Sequence, residues 1–397
     1  MKRILSLVIS FALVLAALSA PVYAKKEQAE ESWLAMQGLG IVDSQDNAAT
    51  PFTVAELCEM VYRLMNPDVT QTPEGTRQIY TDVDRWYWAA GYIEWLYYNR
   101  IYTGDGSGSL EPERNATLSD VCNVMLNLLG YQQVKEYVKD EASPIHKAGE
   151  LGLLPPSVSR AEHELTYGEF AAICYELLFT EVMEVSFDDA LGFFRGDEFV
   201  RAVLQLDYAE GVITATNGFS LSYQECGADE IVIDGNHFTV ASGTDYREYL
   251  GYSVQYFFDA KAKELVALFP TTNEVLTISS EQLLEYENNR YTYEEGEKEK
   301  KAKVSAEVMV LYNGKVTTNR DAFLPAYGQV TLIDNNKDGY YDCIISENVV
   351  NVILASTING VMLGKNGDGT GRKYSLDLEE IEKYEIIGTD LPFAEWK

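Results

Sequence analysis

The chain has 397 residues, 62 Asp and Glu against 31 Lys and Arg, and a formal charge of −31. Such a charge repels nucleic acid and anionic lipid and keeps a crowded exterior protein soluble, so nucleic acid is not expected as a partner. The length allows more than one core, and an odd set of 5 Cys cannot close a complete intramolecular disulfide framework.

Residues 1–24 carry Lys2-Arg3, an apolar run from Ile4 to Leu18, and small residues ahead of Lys25. This reads as a secretory signal peptide, because the run is short for a bilayer span and lacks a stop-transfer flank. Its removal takes away two bases and no acid, leaving 29 − 62 = −33 on the mature chain. No later segment is apolar and long enough to span, so the sequence predicts full export with no transmembrane segment after cleavage.

From residue 25 to about 185 the pattern is helical, and one signature occurs three times: Thr53-Val-Ala-Glu56, Thr117-Leu-Ser-Asp120 and Thr166-Tyr-Gly-Glu169. A Thr hydroxyl at the N-cap accepts from the amide three residues on, while the acid reaches back to the cap's own N–H. Apolar residues follow each box in register: Leu57/Val121/Phe170, Val61/Met125/Cys174 and Leu64/Leu128/Leu177. Ahead of the boxes lie Leu34–Ile41, Ile93–Ile101 and Ile145–Leu153, each ending in an apolar residue after a turn. A helix pair cannot bury its stripe alone, so three pairs (30–66, 79–130, 143–182) are expected to pack as one bundle. Cys58, Cys122 and Cys174 fall on the apolar faces and read as small buried hydrophobes.

The middle unit is the fullest. It runs Tyr80-Thr-Asp82-Val83, Trp88-Ala89, Ile93, Leu96, Ile101, Gly104, Gly108, Pro112 and Thr117. This resembles the surface-layer homology family over roughly residues 30–182. The resemblance implies binding of cell-wall polysaccharide, a peptidoglycan-attached glycan, by motif positions Asp82, Trp88 and Gly104 with Thr53, Glu56, Thr117, Asp120, Thr166 and Glu169. It also implies a bacterial cell-wall and cell-surface location. The family's Arg after the box Thr, which contacts acidic glycan groups, is replaced here by Val54, Leu118 and Tyr167. Arg160, in Ser159-Arg-Ala-Glu162, imitates the motif one loop too early. Among the crowded aromatics, positions 88, 92 and 95 share a helical face and read as core, while Tyr87 and Tyr98 lie off it.

Beyond about Asp188 the period becomes 2, in Phe199–Leu206, Gly211–Thr216, Ile231–Ala241, Ser253–Phe258, Leu265–Phe269 and Val275–Ile278. Asp234-Gly235 suits a primed hairpin turn. The order of features in Ile231–Ile278 returns in Met309–Ala355, so two antiparallel β modules, barrel-like or sandwich-like, are expected at 186–292 and 293–397. The charged stretch Glu294–Lys303 reads as a solvated loop or extended hairpin. The fold class is therefore multidomain α + β.

No zinc pattern, nucleophile elbow or phosphate loop appears, so an enzyme is not expected. Asp334, Asn336, Asp338, the Tyr340 carbonyl and Asp342 follow the oxygen spacing of a calcium loop, with Gly339 at the sharp turn but Ile345 where a bidentate Glu belongs. The chain thus reads as a wall-held surface protein displaying β modules. The alternatives are a wall-acting glycan hydrolase with its site in the β region, and a secreted assembly module that has lost glycan binding.

Overall fold

The computed structural model describes residues 29–67, 71–104, 106–131, 144–156, 158–186, 192–271, 273–348, 352–358, 361–366 and 373–377. The signal segment 1–24 lies outside them. The fold is mixed α + β. Contacts divide the chain into two compact units, one of 1–213, 229–245 and 253–272, the other of 214–228, 246–252 and 273–397.

In the first unit, helix α1 (29–38) precedes α2 (Val54–Met65), α3 (Ala90–Tyr98) precedes α4 (Leu118–Leu128), and α5 (Pro144–Glu150) precedes α6 (Tyr167–Leu178). All three capping boxes form, each with the Thr side chain accepting from the third amide and the acid accepting from the Thr N–H. The leading helices also end alike. Gly40, Arg100 and Gly152 adopt positive φ, and the apolar residue after each donates back to the helix: Ile41 N to Met36 O, Ile101 N to Leu96 O, Leu153 N to Ala148 O. This six-to-one bond closes the last turn and turns the apolar residue into the core. Ile41, Ile101 and Leu153 are buried accordingly.

The short segments before the boxes pair with one another in a closed circuit: Pro51 with Thr166, Thr53 with Asn115, Thr117 with Glu164. Matching bonds run round it, Val54 N to Arg114 O, Leu118 N to His163 O and Tyr167 N to Thr50 O, each about 2.8–3.0 Å. Corresponding donors therefore meet corresponding acceptors three times. In the middle pair, α3 is overlain so closely by the segment before it that a Cβ on Gly91 would sit 1.8 Å from the Pro73 carbonyl oxygen. Only glycine fits there.

A hairpin of β1 (Glu181–Ser186) and β2 (Gly192–Glu198) follows. Residues 199–206, expected as a strand, instead open with a helical turn, α7 (Phe199–Ala202). Phe199 and Val200 are both fully buried, and Val203 and Leu204 pack on the same core, so the apolar spacing serves a turn of helix better than an alternating strand.

Strands β3 (Asp207–Thr216), β5 (Glu230–Ile233), β6 (Asn236–Thr239), β8 (Glu264–Pro270) and β7 (Ser253–Asp259) pair in that order, and β7 returns to β3. The sheet thereby closes on itself, and short β4 (Phe219–Ser220) extends the far end of β3. The β5–β6 turn has positive φ at both Asp234 and Gly235, as a primed turn requires. Phe257, Ala267 and Phe269 belong to the same core as the helices, and the Tyr175 hydroxyl donates to Gln255 Oε1 at 2.7 Å. Helices and closed sheet therefore share one core.

The second unit contains β9 (Glu274–Ser279), β10 (Leu283–Tyr286), β11 (Arg290–Glu295), β12 (Lys298–Tyr312), β13 (Lys315–Val316), β14 (Gln329–Asp334) and β15 (Tyr341–Glu347). They order as β10-β11-β12-β15-β14-β9 with β13 on β12, around Tyr291, Val330, Leu332 and Ile344. The charged stretch 294–303 is the β11–β12 hairpin. β16 (Val352–Ile358), β17 (Val361–Asn366) and β18 (Lys373–Asp377) form a separate antiparallel sheet. The repeated order of features has a backbone counterpart: a 3-10 turn (Arg247–Tyr249, Arg320–Phe323) leads into an antiparallel hairpin, β7–β8 or β14–β15.

Candidate functional site

The second capping box does more than cap. Thr117 N and its hydroxyl both donate to Asp120 Oδ2, at 2.9 and 2.7 Å. From the far side Arg114 grips the same carboxylate with two parallel bonds, Nη1 to Oδ2 at 2.6 Å and Nη2 to Oδ1 at 2.8 Å. The Tyr102 hydroxyl adds a third direction, donating to Oδ1 at 2.6 Å. Burial raises the Asp120 pKa, but Arg114, Tyr102 and Thr117 outweigh it and hold the carboxyl down at about 2. The same pair raises the Arg114 pKa. A fork of this kind is the geometry a guanidinium is suited to.

Arg114 was not among the residues the sequence singled out. It stands three residues before the cap and meets an acid three residues after it, so the pair forms only because the chain turns sharply at Thr117. The third box repeats the arrangement with His163, whose Nε2 lies 3.0 Å from Glu169 Oε1. In the first box the corresponding residue is Thr50, and Glu56 bonds Thr53 N and its hydroxyl at 2.6 and 2.9 Å. A basic residue type three before the cap with an acid three after it was the available signal.

Beside this pair opens a cleft of about 230 Å³, walled by Gly104, Ser107, Ser119, Asn123, Arg114 and Asp120 among others. Gly104 holds φ of +66°, which lets the loop turn back against Tyr80 and Leu110. Asp82 ties down the opposite rim by accepting from the Ser109 hydroxyl at 2.7 Å, the Leu110 N–H at 3.0 Å and the Glu111 N–H at 2.7 Å. Burial raises its pKa, and those three donors more than reverse that, so Asp82 stays ionised and shapes the loop. Of the predicted positions, Gly104 and Asp120 line the cleft, Asp82 braces its rim, and Thr117 holds Asp120 from within the capping box. Thr53 with Glu56, and Thr166 with Glu169, sit in their own boxes.

The aromatics divide differently from their helical spacing. Helix α3 begins at Ala90, so Trp88 precedes it and is 48% exposed, whereas Tyr92 is buried against Tyr62, on which half-buried Trp95 also packs. Tyr98 is exposed, but Tyr87 is half-buried with its hydroxyl on Glu113. Arg160 is exposed in the turn before the third box. Where the family's Arg would follow the cap, Val54 and Leu118 are fully buried, and Tyr167 packs on Phe52.

The proposed calcium residues lie in the β14–β15 turn. Asp334 is buried, and its two oxygens accept from Asn336 N at 3.3 Å and Gly339 N at 2.9 Å. Asn336 Oδ1 accepts from Asp338 N, Asp338 Oδ1 from Tyr340 N, and Asp342 Oδ2 from Asn335 N. Burial, with repulsion from Asp338 and Asp334, raises the Asp342 pKa despite the Asn335 bond. Among the described residues no three acids, His or Cys converge as metal ligands. Cys58, Cys122 and Cys174 are buried free thiols.

Residues 79–122 match the S-layer homology domain. That span holds the middle helix pair up to the capping box, and nearly all of the cleft. The match to this family is confined to that span, and the Arg114–Asp120 pair lies inside it. Over 311 residues, 76% of its length, the chain is 25% identical to a protein described as "Cell surface protein" from Thermoanaerobacter kivui. The match covers 39% of that protein, so the chain spans well under half the length of the relative. Among the described residues no helix is long and apolar enough to cross a membrane.

Proposed function

We propose that this is an exported, non-enzymatic cell-surface protein. It is held at the cell wall by a pseudo-threefold bundle of S-layer homology repeats that binds wall polysaccharide, and it displays β modules outward. The observation that carries the reading is the polar cleft in the family-matched span, which the motif positions Gly104 and Asp120 line and Asp82 braces through Ser109 and Glu111. The threefold arrangement is supported by the circuit of equivalent bonds before the three boxes. The surface location is supported by the description of the relative.

Binding rather than catalysis fits the chemistry of the cleft. Asp120 is saturated with donors and holds its proton only near pH 2, so it positions neighbours and carries no proton at neutral pH. The test is sedimentation of the mature chain (residues 25–397) with purified wall sacculi. It is expected to pellet with sacculi bearing their polysaccharide and to stay in solution with sacculi stripped of it. Equal pelleting with both would remove polysaccharide as the ligand.

A further inference from the structure

The cleft is polar without being cationic. Ser107, Ser119 and Asn123 supply hydroxyl and amide groups, and the charged groups are Glu111, Arg114 and Asp120. These sum to one negative charge. The guanidinium is committed on each side, with both Nη atoms on Asp120 and Nε 3.7 Å from Glu111. An incoming carboxylate could bond the Nη atoms of Arg114 only by displacing Asp120, which would also strip Thr117 N and its hydroxyl of their acceptor, and could bond Nε only against the charge of Glu111. The position from which the family's Arg would reach out is buried Leu118. Nothing in the lining therefore offers an anion a free positive partner.

Hydroxyl and carboxamide groups both donate and accept, which is the complement of a sugar's own hydroxyls. The volume is below the roughly 300–1,000 Å³ of pockets for drug-sized ligands, which suits a single ring.

We propose that the Arg114–Asp120 cleft selects an uncharged sugar unit of the wall glycan and discriminates against its carboxylate-bearing counterpart. This rests on the glycan-binding reading and narrows it to a ligand class.

The test is calorimetry of the mature chain with one acidic wall polysaccharide in two forms, native and with its carboxyls chemically reduced to alcohols. The reduced form is expected to bind at least about fivefold tighter, with little salt dependence. Ser119→Trp, which fills the cleft, should abolish that binding. Exposed Asn123→Lys adds a free cation without entering the core and should shift preference toward the native form. Melting curves of each variant establish that it is folded. Tighter binding of the native form by the unaltered chain would overturn the inference, and so would binding of the reduced form that neither variant alters. In both of those outcomes glycan binding itself still stands. Failure to bind either form would overturn the glycan reading as well.

Discussion

Removing the charge on Asp120 is the most direct perturbation of the second repeat. Its folded pKa of about 2 lies below an unfolded value of ~3.9, and each unit is worth ~1.36 kcal/mol, so the depression corresponds to about 2.5 kcal/mol. The sign follows from linkage. A depressed acid stabilises the fold above its unfolded pKa, and this contribution is lost as pH falls from about 4 toward 2. Asp120 is 11% exposed at its side chain and Arg114 is 35% exposed, so water relieves part of the penalty when either is left alone. Asp120→Asn should therefore cost about 2–3 kcal/mol at pH 7, below the 3–5 kcal/mol of a fully buried pair. The assay is urea unfolding of wild type, Asp120→Asn, Arg114→Met and the double variant at pH 7, with wild type and Asp120→Asn repeated at pH 2.5. The coupling in the cycle should be about 1.5–3 kcal/mol, as for hydrogen bonds to charged groups. The difference between wild type and Asp120→Asn should shrink markedly at pH 2.5. A coupling below about 0.5 kcal/mol, as for exposed ion pairs, would refute the reasoning.

Leu118→Arg, which restores the family's residue, should destabilise by about 4 kcal/mol or more, since it loses a buried Leu and buries a guanidinium without a partner. A folded variant of unchanged urea midpoint would show that the chain can swing this position outward. Residues 25–185 alone should melt less cooperatively, and at lower temperature, than 25–272, because the helices lose Phe257, Ala267 and Phe269 from their core. Equal melts would mean the helices stand independently of the closed sheet. Millimolar calcium should raise the melting temperature of the full mature chain and lower the Asp342 pKa by relieving repulsion among Asp334, Asp338 and Asp342, and Asp338→Ala should lose both effects. Identical curves with and without calcium would leave the turn closed by its amide bonds alone.

What the sequence by itself determined is local. A capping box needs only residues three apart, so Thr53, Thr117 and Thr166 announced their helices and formed as read. Asp234-Gly235 likewise declared its turn, because positive φ at both positions is a property of the residues themselves. Tertiary structure decided whatever depends on distant backbone. Trp88 had a helical period but precedes the helix, so it stands half-exposed, and Phe199–Ala202 had apolar spacing that the surrounding core resolved as a turn of helix. Arg114 looked like one charge among many. It became the partner of Asp120 only once the segment before Thr117 paired with its counterparts at Thr53 and Glu164 and fixed the angle at which chain and helix meet. A carboxylate that caps a helix is written in a four-residue word, whereas the charge facing it depends on how three such words are held against one another.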